Sequence, residues 1–244
     1  MEGYNQFLTQ DTLSNHLSEA LRSLRIISVS LVIIGLFWSW TVSDVIYAWI
    51  EILPIQSGPE NMNLAVFAPF DWVGTRISAV IMLSTLSVLP LASILFYRFS
   101  APGLLPKEEK WLSSIMLFTT IAIPFAVLLM WVWIIPSLFS FASSSNHFNE
   151  VGIRYDVGAI FSVSLGASWI LIIWSLTAVS LALARLYGLV NDSELRFRLR
   201  ILAIFCGTLI LTLPVEYDGL RLVIAFFTAL SADAISRTIP LNEY

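Results

Sequence analysis

The stretch from Tyr97 to Leu112, YRFSAPGLLPKEEKWL, sets Lys107-Glu108-Glu109-Lys110 between two long apolar runs in a chain that is otherwise poor in charge. A second acid, Glu19, lies beside Arg22 in the amphipathic lead-in NHLSEALRSLRI. Locally these groups have modest roles. Pro106 is suited to the first turn of a helix, which places Glu108 and Glu109 where acids complement the helix dipole. Glu19 and Arg22 are spaced for an i,i+3 pair, which contributes a few tenths of a kcal/mol. The side chains needed for catalysis inside a membrane are missing. Of the two histidines, His16 precedes the first apolar run and His147 follows the third, so no H-E-x-x-H zinc pair exists. Gly166-Ala167-Ser168-Trp169 offers a serine in an apolar run, but no histidine stands in any such run to activate it. The single cysteine, Cys206, supports neither an internal disulfide nor a metal cluster. No glycine-rich phosphate loop is present. The sequence therefore predicts no enzyme, no metal, no cofactor and no nucleic-acid partner.

Composition says what must position the acids. Of 244 residues, 57% are hydrophobic and 12% charged, whereas soluble domains carry about 25% charged residues. Runs of about 20 apolar residues, enough to cross hydrocarbon as helices, recur along the chain. Backbone groups in lipid must be satisfied within each segment, which predicts an all-α integral membrane protein. The N-terminus lacks the early apolar core of a cleavable signal, so the first span is expected to remain. Apolar runs bounded by charge, Pro or Gly give six spans, about 24–42, 77–96, 111–135, 158–183, 201–213 and 220–232, read as one membrane domain over 1–244. Leu213-Pro214-Val215-Glu216-Tyr217-Asp218-Gly219 reads as the turn of a hairpin between the last two, which are short for a bilayer.

Six spans put both termini on one side. Arg22, Arg25, Arg98, Lys107, Lys110, Arg185, Arg196, Arg198, Arg200 and Arg237 then share one face, against Arg76, Arg154 and Arg221 on the other. The positive-inside rule makes the first face cytoplasmic. The outer segments 43–76 and 136–157 are read as loops, the first carrying Trp49, Pro54, Phe67, Phe70 and Trp72 as an interfacial belt or small cap. In the fourth span Ser164, Ser168 and Ser175 share one side and Ser162, Thr177 and Ser180 the other, a pattern suited to close packing through small residues. Asp233 with Arg237 reads as a local i,i+4 ion pair. A small-solute secondary transporter is the alternative class, but the internal repeats that many such folds carry are missing, although Pro90 and Pro124 could break helices at the midplane.

The two acidic places also carry a family resemblance. His16-Leu17-Ser18-Glu19 with Leu21-Arg22 resembles the "HLEELR" lead-in of the TatC family, the multispanning subunit of the twin-arginine protein translocase. Phe99-Ser100-Ala101-Pro102-Gly103-Leu104-Leu105-Pro106-Lys107-Glu108 resembles its first cytoplasmic loop, "F-x-APGLYPHE". Pro136 matches a proline ending the third span, Leu195-Arg196-Phe197-Arg198 the basic loop before the fifth, and Leu211-Thr212-Leu213-Pro214-Val215-Glu216 the "LTPPD" turn. The resemblance implies a receptor for the paired-arginine signal peptides of folded cargo, working with single-span TatA/TatB-type subunits in an oligomeric complex driven by the proton gradient. It implies signal contact through Glu19 and Glu108, with Arg22 and Lys107 holding the acids ionised and Phe99 walling the site. A carboxylate accepts two parallel hydrogen bonds from one guanidinium, which an ammonium cannot reproduce, so such acids can tell arginine from lysine. The chain departs from the family pattern in two places: Glu109 replaces the usual arginine after the key acid, and the usual intramembrane glutamate of the fourth span falls near Leu176. Ser175, Thr177 and Glu216 are left as the candidates for partner contact.

Overall fold

The computed structural model describes residues 2–54, 57–58, 61–62, 64–65, 69–101, 105–144, 155–186 and 195–237, with side chains for 18–54, 70, 72–101, 105–141, 155–185 and 196–237. The helices are α1 (Glu2–Ile52), α2 (Pro69–Ser100), α3 (Pro106–Leu129), α4 (Ile135–Ser144), α5 (Val157–Leu186), α6 (Leu195–Thr212) and α7 (Arg221–Ser236). A π turn, Met130–Ile134, joins α3 to α4 without a break, so the rods number six. Four segments are long and apolar enough to cross a membrane: Ser18–Ile52, Trp72–Ser100, Pro106–Phe141 and Val157–Arg185. The sequence-derived α6 and α7 were about 13 residues each; they are 18 and 16, and the added turns of α6 carry Arg196, Arg198 and Arg200.

Several boundaries differ from the sequence reading because helices continue where hydropathy falls. α1 runs ten residues past Val42, so Trp49 is no loop residue: it is buried in the main core with Val42, Ile46 and Leu53. Pro136 does not end the third span, since helix continues to Ser144. The reason lies in the π turn. The Ile135 N–H bonds the Met130 carbonyl, and proline at 136 has no N–H to offer the Trp131 carbonyl in the same register. The Trp49 indole N–H donates to that carbonyl at 2.9 Å. Around this bond Trp49, Trp131, Trp72 and Phe161 stack edge to face or tilted, with centroids 4.8–6.0 Å apart. Trp131 also donates to Ser168 Oγ at 2.7 Å, tying α5 into the same knot.

The outer segments shrink accordingly. Between α1 and α2, β1 (Ser57–Gly58) pairs antiparallel with β2 (Asn61–Met62), and β3 (Leu64–Ala65) pairs parallel with β4 (Tyr155–Asp156), linking the two outer segments. Phe70 is exposed, and Phe67 lies outside the described residues.

α5 is the central post. It packs on α2, α3, α6 and α7, while α1 packs chiefly on α2 and meets the third rod at the π turn. Ser162, Ser164, Ser168, Ser175 and Thr177 are all buried, as expected of small residues that let helices approach. Ser164, Ser168, Ser175 and Thr177 donate to carbonyls four residues back, and Ser162 pairs with Thr75 at 3.1 Å, so no hydroxyl among them is orphaned. The α6–α7 turn locks onto this post. Tyr217 donates to the Val163 carbonyl at 2.7 Å, and its ring lies against Gly166 so closely that an added Cβ would stand 2.2 Å from Cε2. Burial, and then the Glu216 carboxylate, raise the Tyr217 phenol above its usual value, keeping it a neutral donor. Gly219 closes the turn at φ +84°, where a side chain is strained.

Candidate functional site

The end of the molecule where α2 meets α3 holds Glu108 and Glu109, and Glu19 lies on α1. α3 begins at Pro106 as the sequence predicts, and Glu108 at its third position reaches back to accept the Leu105 N–H at 2.9 Å. Leucine has no side-chain oxygen, so this is the acidic half of a capping box alone. The bond fixes one carboxylate oxygen and leaves further acceptor capacity for an incoming donor. Glu109 is engaged differently. The Tyr97 hydroxyl donates to its Oε1 at 2.8 Å, pinning the end of α2 to the start of α3 across the loop. The two neighbouring acids are thereby split between a brace and a half-buried, unneutralised carboxylate.

Glu19 is exposed on α1. Among the described residues neither Glu19 nor Glu108 forms an ion pair, so the i,i+3 partnership of Glu19 with Arg22 and the adjacency of Lys107 to Glu108 do not become salt bridges. Arg22 and Lys107 are both exposed. His16, Leu17 and the loop residues Pro102, Gly103 and Leu104 lie outside what is described of side chains.

A cavity of about 390 Å³ opens near these places, its walls beginning at Ala20, the neighbour of Glu19, and at Met116, eight residues beyond Glu108. It is bounded by Ala20, Ser23 and Ile27 of α1, Phe96 and Phe99 of α2, Met116 and Ile123 of α3, and Leu176 and Val179 of α5. Residues four apart share a helix face. Glu19, Ser23 and Ile27 therefore form one stripe on α1, and Glu108, Leu112 and Met116 one on α3. Ser23, Ile27 and Met116 line the cavity whereas Leu112 is fully buried, so each acid stands about 12 Å along its helix axis from Ile27 or Met116 at 1.5 Å per residue. Phe99, partly exposed, sits in the wall as the sequence reading places it. Leu176 lines the same wall, so the position of the missing glutamate is apolar and faces the cavity.

A family model described as Sec-independent protein translocase protein (TatC) matches residues 15–228. The chain belongs to the TatC family. It is accordingly a transport component of twin-arginine protein translocation rather than an enzyme, and a multi-pass protein of the cytoplasmic membrane. Two solved structures share the fold. One is described as a crystal structure of the twin arginine translocase receptor TatC, with a TM-score of 0.63 and 16% identity over 91% of this chain and 96% of that one. The other, of the same receptor in DDM, has a TM-score of 0.63 and 17% identity over 93% and 100%. No curated protein sequence matches the chain at a significant level.

Sequence reasoning missed the principal charge cluster of this TatC chain. Asp233 accepts from Arg237 on its own helix at 3.0 Å, as expected, but also from Arg185 of α5 at 3.2 Å and from both the Nε and Nη2 of Arg198 of α6. The signal available was an acid and three arginines near three predicted span ends; their convergence was not visible. Of the partner-contact candidates, Glu216 is exposed on the α6–α7 turn, whereas Ser175 and Thr177 are buried with their hydroxyls bonded to their own helix.

Proposed function

We propose that this chain is the signal-peptide receptor of its translocase, with both termini in the cytoplasm and the paired arginines of a leader held by Glu19 and Glu108. The observation that carries the reading is that the two acids stand on different helices, each within about 12 Å along its axis of residues lining one apolar cavity, at the end to which the basic residues assign the cytoplasm. A leader entering there meets the two carboxylates first and the apolar walls beyond them. Glu108 is held by its bond to the Leu105 N–H, so its carboxylate is oriented before the guanidinium arrives. Charge-assisted hydrogen bonds contribute roughly 1.5–3 kcal/mol where partly shielded and exposed pairs about 0–1 kcal/mol. On that scale half-buried Glu108 outweighs exposed Glu19 in discrimination. The modestly apolar part of the signal adds affinity by lying against Phe99, Leu24 and Ile27. Arg22 and Lys107 add positive charge beside the acids without forming ion pairs with them. Single-span partner subunits dock at the outer α6–α7 turn, where Glu216 is the available polar contact. Ser175 and Thr177, buried and bonded to their own helix, serve packing along α5. The assembled complex moves folded cargo at the expense of the proton gradient.

The test places photocrosslinkers beside Glu19 and Glu108 and presents a signal peptide with Arg-Arg or Lys-Lys. The receptor labels with the first and much less with the second, and Glu108→Ala narrows the difference. Equal labelling by both peptides ends the reading.

A further inference from the structure

Among the described residues, the cluster on Asp233 carries more positive than negative charge. Its carboxylate, 4% exposed, serves Arg185, Arg198 and Arg237, whose side chains are 5%, 22% and 53% exposed. Three guanidiniums against one carboxylate leave two positive charges at the inner ends of α5, α6 and α7. Among the described residues no second acid pairs with them. Arg196 and Arg200, both exposed on the first turns of α6, add to the same field.

Beside this cluster a second cavity of about 470 Å³ runs into the membrane between α3 and α5, with Thr119, Ile123 and Val179 as a wall shared with the signal cavity. Ser236 joins the two features: it lines the cavity mouth and accepts from Arg185 Nε at 3.1 Å. Trp111 stands on the opposite wall, an aromatic at the depth where indoles favour the head-group boundary. The polar groups inside are already spent, Ser175 on the Leu171 carbonyl and Thr119 on that of Ile115, so the walls present apolar surface. The cavity extends about 16 Å along α5 from Ala182 to Leu171 and about 22 Å along α3 from Trp111 to Ala126, against roughly 30 Å for the hydrocarbon core. That is too short to seat a helix crossing both leaflets and long enough for an acyl chain reaching past the midplane.

We infer that this groove holds an anionic phospholipid of the inner leaflet, its acyl chain between α3 and α5 and its phosphate against Arg237 and the neighbouring guanidiniums. An occupant of net negative charge complements the excess on the described residues, whereas a zwitterionic head group adds no net charge against it. The lipid thereby balances a cluster that cross-links three helices.

Native mass spectrometry of the delipidated chain, titrated with phosphatidylglycerol or phosphatidylcholine of matched acyl chains, tests this. Wild type retains the first phosphatidylglycerol with about tenfold higher apparent affinity than phosphatidylcholine. Arg237→Gln, which leaves Asp233 bonded to Arg185 and Arg198, brings the two lipids to within about twofold, and Ala178→Trp, which fills the groove, reduces retention of both. If Ala178→Trp fails to fold, the Arg237→Gln titration decides alone. Equal retention of the two lipids by wild type overturns the inference, as does a preference that survives Arg237→Gln. Displacement of the bound lipid by millimolar inorganic phosphate also overturns it, by reducing the site to an anion site without a chain. So does a photocrosslinker at Ala178 that labels a single-span protein in place of lipid.

Discussion

At the scale of single residues, Glu108 carries two duties that substitution can separate. Glutamine keeps a side-chain oxygen for the Leu105 N–H but has no charge for a guanidinium. Glu108→Gln is therefore expected to leave thermal stability in detergent within about 0.5 kcal/mol of wild type while reducing Arg-Arg over Lys-Lys selectivity in peptide labelling about tenfold. Glu108→Ala loses the cap as well, adding about 0.5–2 kcal/mol of destabilisation. Asp233 is the opposite case. Asp233→Asn leaves Arg185 buried beside Arg198 without a counter-charge, and about 3–5 kcal/mol of stability should be lost in thermal melts. Arg237→Gln at the exposed edge should cost about 1 kcal/mol or less. Part of this was legible: Glu19, Glu108 and Phe99 stand out by residue type and neighbours, because charge and proline inside an apolar chain are local signals. The Arg185 and Arg198 bonds to Asp233 were not, since they join positions 48 and 35 apart.

Among the elements, the π turn and the α6–α7 turn are held by contacts that can be exchanged. Trp49→Phe removes the donor to the Trp131 carbonyl and leaves that group unpaired in an apolar core, a cost of about 1–3 kcal/mol. Pro136→Ala restores a backbone N–H near that carbonyl, so the double variant should recover part of the loss in the same melts; a strictly additive result would show that the π register is held by something else. At the other turn, Gly166→Ala drives a methyl into the Tyr217 ring and is expected to destabilise by about 1–3 kcal/mol, with loss of the Tyr217 contact to Val163. A disulfide placed between the α6–α7 turn and the start of α5 would report that loosening by slower formation in the variant. Boundaries were the least legible feature at this scale. Hydropathy marks where lipid begins and ends, whereas α1 and α4 continue as helix beyond it because their outer turns pack on Trp131, Phe161 and Tyr155.

As a whole molecule, the chain is a post, α5, with three rods on one side and a short hairpin on the other, and its cavities lie where rods diverge. α1 and the third rod meet chiefly at the π turn, which leaves the opposite end open between Ala20, Phe99 and Met116. Filling that opening from α1, by Ser23→Trp, should reduce signal-peptide crosslinking several-fold while leaving Glu19 and Glu108 in place; unchanged labelling would mean that the leader binds elsewhere. The sequence by itself determined the membrane class, the six rods, the side that carries the basic residues and the two acids worth attention, because hydropathy, charge and helix-start chemistry are set within a few residues. Only the tertiary structure decided that Glu108 caps the Leu105 N–H, that Trp49 belongs to the core, that Tyr217 rests on Gly166 and that three arginines share Asp233. Those outcomes depend on which helix faces meet, and no periodicity along one helix specifies its neighbour's rotation or depth.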